Sequence, residues 1–351
     1  MLKYLNARVT ILRLPLLLVV LSIVLSTTAC SLFGTHKKVQ VPELLPLSDA
    51  PKNQLIQEIN RLAAVKSIHG KVDIQFEDTS FASFGIAEKY RLVDGNLTMQ
   101  RPGKIYLTLQ FSIVEIAQMA SDGEHFAVAV LQGDEKYKRF VKGTNSADYP
   151  RLDGQADPAS SSNNKKKAEK ETVNALSNLR PQHLTDAFLI RPIDPNARLI
   201  YTQSEFFQEE PDNRPQAKKS SRVMRGYYLM EELSEPNDGE VHVLRRFWFD
   251  RVGKVRLARL QTFDMKGEII TDVSYSEEKQ IGNADTVLMP SRVELTRPKD
   301  KYKLSIAYQD TATVELNREY PPQAFVLQNK WGLPEVDLDA EKNKKLTTAN
   351  Q

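Results

Sequence analysis

His36, His69, His125, His183 and His242 are the histidines of this chain, and no two stand four residues apart. No helix can therefore turn a pair of them toward one metal ion, and the H-E-x-x-H arrangement is absent. The chain also lacks a G-x-S-x-G nucleophile elbow, a phosphate-cradling P-loop and a G-x-G-x-x-G opening a helix. Glu209-Glu210 and Glu231-Glu232 pair carboxylates, but neighbours on a strand point to opposite faces and cannot converge on one bond. Solvated charge is their expected role. No enzyme, cofactor or metal is expected. A hydrolase assembled from distant Asp, Glu, Tyr or Arg side chains stays open as the third reading.

The one cysteine, Cys30, has chemistry of a different kind. Lys3, Arg8 and Arg13 precede an apolar run, Leu14 to Leu25, and then come Ser26-Thr27-Thr28-Ala29-Cys30. A charged segment, a short apolar core and small residues at a cleavage point are how an exported precursor is built. Twelve residues are too few to remain as a spanning helix, which needs roughly 18 or more. With its thiol at the first mature position, the segment resembles a bacterial lipobox. Thr27 stands where that pattern has Leu. The resemblance implies removal of residues 1–29 and acylation of Cys30. Two or three acyl chains hold a protein firmly to membrane lipid, where one binds only marginally. Ser31 stands where an Asp would retain the protein at the inner membrane, so the implied site is the outer membrane, facing the periplasm.

Residues 30–351 hold 45 Lys and Arg against 45 Asp and Glu. No strong basic field remains, which argues against nucleic acid as a partner. A lone cysteine permits no intramolecular disulfide, even in an oxidising compartment.

The remaining elements must do the positioning. Residues 30–52, with Pro42, Pro46 and Pro51, read as a tether. Leu55, Ile56, Ile59, Leu62 and Ala63 recur at helical spacing within Asn53–Ser67. Beyond that the period falls to two. Val72, Ile74 and Phe76 alternate with polar residues; Ile105, Leu107, Leu109, Phe111 and Ile113 share one face of residues 104–113. Phe126, Val128 and Val130 follow the Asp122-Gly123 turn. Val241–Asp250, Lys254–Thr262, Ile269–Tyr275, Ser291–Thr296 and the run Tyr302, Leu304, Ile306, Tyr308 are further strands. Asp94-Gly95, Gly253, Lys266-Gly267 and Pro298-Lys299-Asp300 read as turns. Such spacing predicts an antiparallel meander. Two stretches interrupt it. Residues 145–171 are too polar to order themselves, and Gln208–Ser221 is a charged loop. Val173, Leu176, Leu179, Leu184, Phe188 and Leu189 suggest a helical piece broken near Pro181, and past Val336 a charged, frayed tail is expected.

The expected fold is therefore mainly β: a curved antiparallel sheet covered by two short helices. Its apolar face supplies Ile105, Leu107, Leu109, Phe111, Ile113, Phe126, Val128, Phe247, Phe249, Tyr302, Leu304, Ile306 and Tyr308. Each suits a filled core or an acyl-chain cavity.

Gly95-Asn-Leu-Thr-Met-Gln-Arg101-Pro102-Gly-Lys-Ile-Tyr looks like the strand–"RP"–strand element of the LolA/LolB lipoprotein-carrier superfamily. The Asp122-Gly123 turn, the hairpin pair Phe247 to Asp272 with its turn at Asp264 to Gly267, Pro290-Ser-Arg-Val-Glu-Leu, and Tyr302 to Leu316 are similar to that family's later strands. The likeness covers most of residues 53–330. It implies an open half-barrel over residues 53–335, with helices as a lid on a hydrophobic cavity that holds acyl chains of lipoproteins or lipids. The lid would carry Leu55, Ile59, Leu62, Leu176, Leu179 and Phe188. Arg101 falls on an arginine position of that element; it closes the lid, as an arginine does in the family, or is a strand-end arginine in solvent. The chain is longer than a soluble carrier and carries the 145–171 insertion. Lipidation favours a membrane-fixed acceptor, served by a periplasmic carrier or an envelope complex. The alternative is a structural or protein-binding envelope lipoprotein with a filled barrel.

Overall fold

The computed structural model describes residues 42–349, apart from 80–87, 90–91, 134, 136–137, 148, 150–178, 195, 236–238 and 284–285. The first meander runs β1 (Ser67–Asp78), β2 (Val93–Gln100), β3 (Lys104–Phe111), β4 (Val114–Asp122), β5 (His125–Val130) and β6 (Arg139–Thr144). The second runs β7 (Ile200–Pro211), β8 (Arg222–Leu233), β9 (Val243–Asp250), β10 (Arg256–Phe263), β11 (Ile269–Ile281), β12 (Val287–Arg297) and β13 (Tyr302–Tyr308). Within each, successive strands pair antiparallel. The last strand β13 pairs with the first, β1, and fuses both meanders into one sheet. A short strand β14 (Glu335–Asp337) adds in parallel to β6. Among the described residues β7 and β14 are the two edges, so the sheet stays open.

Alternation explains the sheet's greasy face. Met230, Phe247, Leu260, Val273, Leu295, Leu304 and Phe76 stand in register across seven strands, all buried. Leu97, Leu107, Met119, Val128 and Val141 form a second such row across β2 to β6. Each fully buried side chain of this size stabilises the fold by roughly 1.5–3 kcal/mol, before chain entropy is charged against it.

Two helices cover this face: α1 (Lys52–Ala63) and α2 (Pro181–Phe188). Leu55, Ile59 and Leu62 recur every three to four residues and face the sheet, α1 lying on β10. The helix stops at Ala63; Ser67, placed in it by the apolar spacing, already belongs to β1. Helix α2 touches β3 and β4 on one side and β12 on the other. On a flat sheet β3 and β12 would lie roughly 19 Å apart, further than one helix about 10–12 Å wide can bridge. The sheet therefore bends around α2 into a trough. Pro181 does not break this helix; it starts it, since proline lacks only a donor that the first turn leaves unused.

Other sequence expectations need correction. Asp94-Gly95 is not a turn but lies inside β2, where Gly95 pairs with Val72 and Leu109. A Cβ at Gly95 would come within 2.9 Å of Val72 Cγ2, so close strand packing explains the glycine. The alternation of residues 104–113 ends at a bulge after Leu109. Ser112 then turns with φ +58°, leaving Phe111 exposed and Ile113 93 % exposed, outside the core. The charged loop expected at Gln208–Ser221 begins only after Pro211. The hairpin β7–β8 lacks an apolar alternation on β7 because that edge strand meets water on most of its length. The tail past Val336 is also ordered, as the end of β14 followed by α3 (Leu338–Ala349), with Leu338 buried.

Candidate functional site: a helix latch and a charged cleft

Ile105, Leu107, Leu109, Phe126, Val128, Phe247, Phe249, Tyr302, Leu304, Ile306 and Tyr308 converge on the concave face and are buried in one continuous core. Leu55, Ile59 and Leu62 of α1 and Phe188 of α2 belong to the same core. Leu179 is buried just ahead of α2, while Cys30 and Leu176 lie outside the described residues. The Tyr308 hydroxyl is buried without a hydrogen-bond partner, and burial pushes its pKa up.

Arg101 sits in the turn between β2 and β3, and it is not a solvent arginine. Its Nε donates to the Val65 carbonyl at 3.1 Å, just past the end of α1. Its Nη2 donates to the Ile190 carbonyl at 2.6 Å, just past the end of α2. Both carbonyls lie at the negative end of a helix, where a cation is favoured. Burial lowers the guanidinium pKa, with Asp186 opposing that shift, but an arginine stays charged regardless.

A second link ties α1 to the segment that follows α2. Asn60 on α1 donates to the Ile193 carbonyl at 3.1 Å and accepts from the Ile193 amide at 2.8 Å. Helix α2 is fixed to the sheet by Tyr275, whose hydroxyl donates to the Ala187 carbonyl at 2.9 Å, and by Arg245 Nη1, which donates to the Arg191 carbonyl at 2.9 Å. One arginine thus holds the exits of both covering helices, and one asparagine ties α1 to the chain that leaves α2.

Beside α2 opens a cleft of about 1220 Å³. Its walls come from the β4–β5 turn, the end of β6, α2, the ends of β10 and β11, and the β12–β13 turn. His183 of α2 is buried at its floor, with Nδ1 2.8 Å from the Tyr302 hydroxyl. Desolvation, then the nearby Arg297 and Arg180, holds its pKa well below the usual imidazole range, so the ring is neutral at pH 7. Asp186 keeps contact with water through the cleft yet is crowded by protein. Desolvation raises its pKa against the pull of Arg191, Arg297, Arg101 and Arg245. Arg180 lies 5.0 Å from the Phe126 ring centroid and 5.2 Å from that of Tyr149, with Nη1 buried and unbonded. Glu232 also lines the cleft. It is not the solvated charge its sequence suggested: it is buried, paired with Arg245 and bonded by the Tyr201 hydroxyl at 2.8 Å.

The sequence singled out His183 and Glu232 but assigned them no site, and it gave no sign of Arg180; the partners that bury His183 and Glu232 lie on strands far along the chain. Among the described residues no group of three His, Cys, Asp or Glu could hold a metal ion, and no helix is long and apolar enough to cross a membrane.

No protein-family model matches the chain, and no curated protein is significantly similar to it. Its structure is similar to those of DUF1329 and LolA-superfamily proteins. A DUF1329 family protein from Desulfovibrio piger superposes with a TM-score of 0.38 at 10% identity, over 80% of this chain and 96% of that one. A LolA superfamily protein from Nitrosomonas europaea gives 0.38 at 12% identity, over 79% and 99%. A Vibrio parahaemolyticus domain named for outer membrane lipoprotein sorting gives 0.36 at 11% identity, over 79% and 97%.

Proposed function

We propose that this protein is a lipid-anchored envelope protein that holds acyl chains of lipoproteins or lipids on the concave face of its sheet. It hands them to or from the membrane without covalent chemistry. Cys30 is the anchor, in the outer membrane facing the periplasm. Helices α1 and α2, which pack on the inner residues, serve as the lid. The observation that carries this reading is the pair of hydrogen bonds that Arg101 donates to the Val65 and Ile190 carbonyls. A single side chain on a turn that joins the exits of two covering helices is placed to act as their latch, and this supports the lid reading. The unbonded Tyr308 hydroxyl offers a polar contact to an ester carbonyl within the greasy wall. Transfer needs only that opening be accessible and that the site's affinity fall between donor and acceptor. Burying each methylene in water-free space is worth about 0.8 kcal/mol, nearly the same in trough and membrane, so exchange costs little net free energy.

The alternative reading, a structural or protein-binding lipoprotein, draws on the burial of every inner candidate but Phe111 and Ile113. A fluorescent fatty-acyl probe separates the two. Saturable binding to the full chain carrying Cys30→Ala, competed by unlabelled acyl chains, is expected of the carrier; a filled trough gives none.

A further inference from the structure

Most charges around the cleft are neutralised by their neighbours. Lys299 pairs with Asp264 and Glu268, Arg297 with Asp300, and Glu232 with Arg245. Arg180, Arg191 and Asp186 line the same cleft and, among the described residues, make no contact ion pair or side-chain hydrogen bond, Asp186 lying in the field of Arg191, Arg297, Arg101 and Arg245; Glu124 stands at the rim. Arg180 is the telling member. Two ring faces offset part of the cost of drying its guanidinium, since they stabilise a cation without neutralising it. An anion entering from the cleft finds a fork of donors held in place, the arrangement that suits phosphate. Asp186, on the next turns of the same helix, offers the opposite charge to the same space.

We propose that this cleft is a headgroup site for a phosphate–amine zwitterion, with phosphate oxygens on Arg180 and Arg191 and the ammonium on Asp186. The inference rests on the acyl-carrier reading and names the amphiphile class it carries. Cavities for small molecules are commonly about 300–1,000 Å³, so a cleft of about 1220 Å³ holds a headgroup together with its glycerol backbone. Nonpolar cargo such as diacylglycerol would leave both arginines and the carboxylate unanswered.

The test is calorimetric titration of the full chain carrying Cys30→Ala with four probes: dihexanoyl phosphatidylethanolamine, dihexanoyl phosphatidylglycerol, dihexanoylglycerol and soluble O-phosphoethanolamine. Phosphatidylethanolamine is expected to bind about tenfold tighter than the diacylglycerol, a difference of about 1.4 kcal/mol. Arg180→Gln should remove that advantage. Asp186→Asn should weaken phosphatidylethanolamine and spare phosphatidylglycerol. Arg191→Gln, at an exposed position, probes the phosphate side even if Arg180→Gln fails to fold. Equal binding of phosphatidylethanolamine and diacylglycerol, indifferent to all three substitutions, overturns the headgroup site and leaves acyl binding standing. Arg180-dependent binding of O-phosphoethanolamine as tight as the lipid upholds the site and overturns the acyl reading. Binding of none of the four overturns both.

Discussion

Arg101 Nη2 reaches the carbonyl of Ile190 across 2.6 Å, although 89 positions separate the two residues in sequence. The same guanidinium holds Val65, so a turn between two strands fastens the exits of both helices that cover the trough. Hydrogen bonds from a charged donor contribute roughly 1.5–3 kcal/mol each. If the helices act as the proposed lid, bonds of this strength set how often it lifts.

Arg101→Met keeps the bulk and removes both bonds. Lid opening should become at least about a hundredfold more frequent, for a loss of about 3 kcal/mol or more. Hydrogen exchange at the end of α1 and over residues 189–193 reads this directly. Arg101→Lys should recover less than half the protection, because one ammonium lacks the planar fork that serves two carbonyls. Unchanged exchange in the Met variant would leave Arg101 a bystander.

The Asn60–Ile193 pair predicts that the two helices open together. Asn60→Ala should cost about 1–2 kcal/mol in urea unfolding through its two lost bonds. Combined with Arg101→Met it should be non-additive by about 0.5 kcal/mol or more, since both act on one element. Strict additivity would mean independent helices.

Acidification should loosen the floor of the cleft through His183. Its folded pKa lies below the unfolded value near 6.5, so below that pH the unfolded chain binds a proton the folded one refuses. Stability should fall as pH drops from 7 to 5, by up to about 1.4 kcal/mol per pH unit for one such group. Asp186 works in the opposite sense. Its raised pKa favours the fold at low pH, and that contribution is lost as pH rises through the folded value. His183→Gln should flatten the slope between pH 7 and 5; an identical slope in both proteins would contradict the assignment.

Inner wall and rim should answer differently to truncation. Leu107→Ala, at a fully buried site, should cost about 2–5 kcal/mol, whereas Ile113→Ser should lie within about 0.5 kcal/mol of zero. Thermal denaturation of the two variants side by side measures the contrast.

What was legible in the chain was what is written in periodicity. The rows through Leu107, Val128, Phe247 and Leu304 and the stripe Leu55, Ile59, Leu62 repeat at the spacing of their elements. Asp122-Gly123 closes a real hairpin, with Asp122 Oδ1 accepting from the amides of Glu124 and His125. Strand β7 escaped because an edge strand has no greasy face to betray it. Gly95 misled because the same residue serves a turn or a close approach, and only the neighbouring Val72 side chain distinguishes them. Glu232 and His183 gave no sign of their site because a carboxylate or imidazole is buried by its partners, here Arg245 and Tyr302, and those are contributed by the fold. The latch was half visible: the sequence placed Arg101 at the end of β2, and the carbonyls it holds came only with the three-dimensional structure.

The most direct measurement is titration of a fluorescent long-chain acyl probe into the full chain carrying Cys30→Ala, alone and with Arg101→Met. Saturable binding by the first, with faster uptake and release in the second, is the expected result. A probe that neither protein takes up, in chains that remain folded, would mean that the trough is solid and carries nothing.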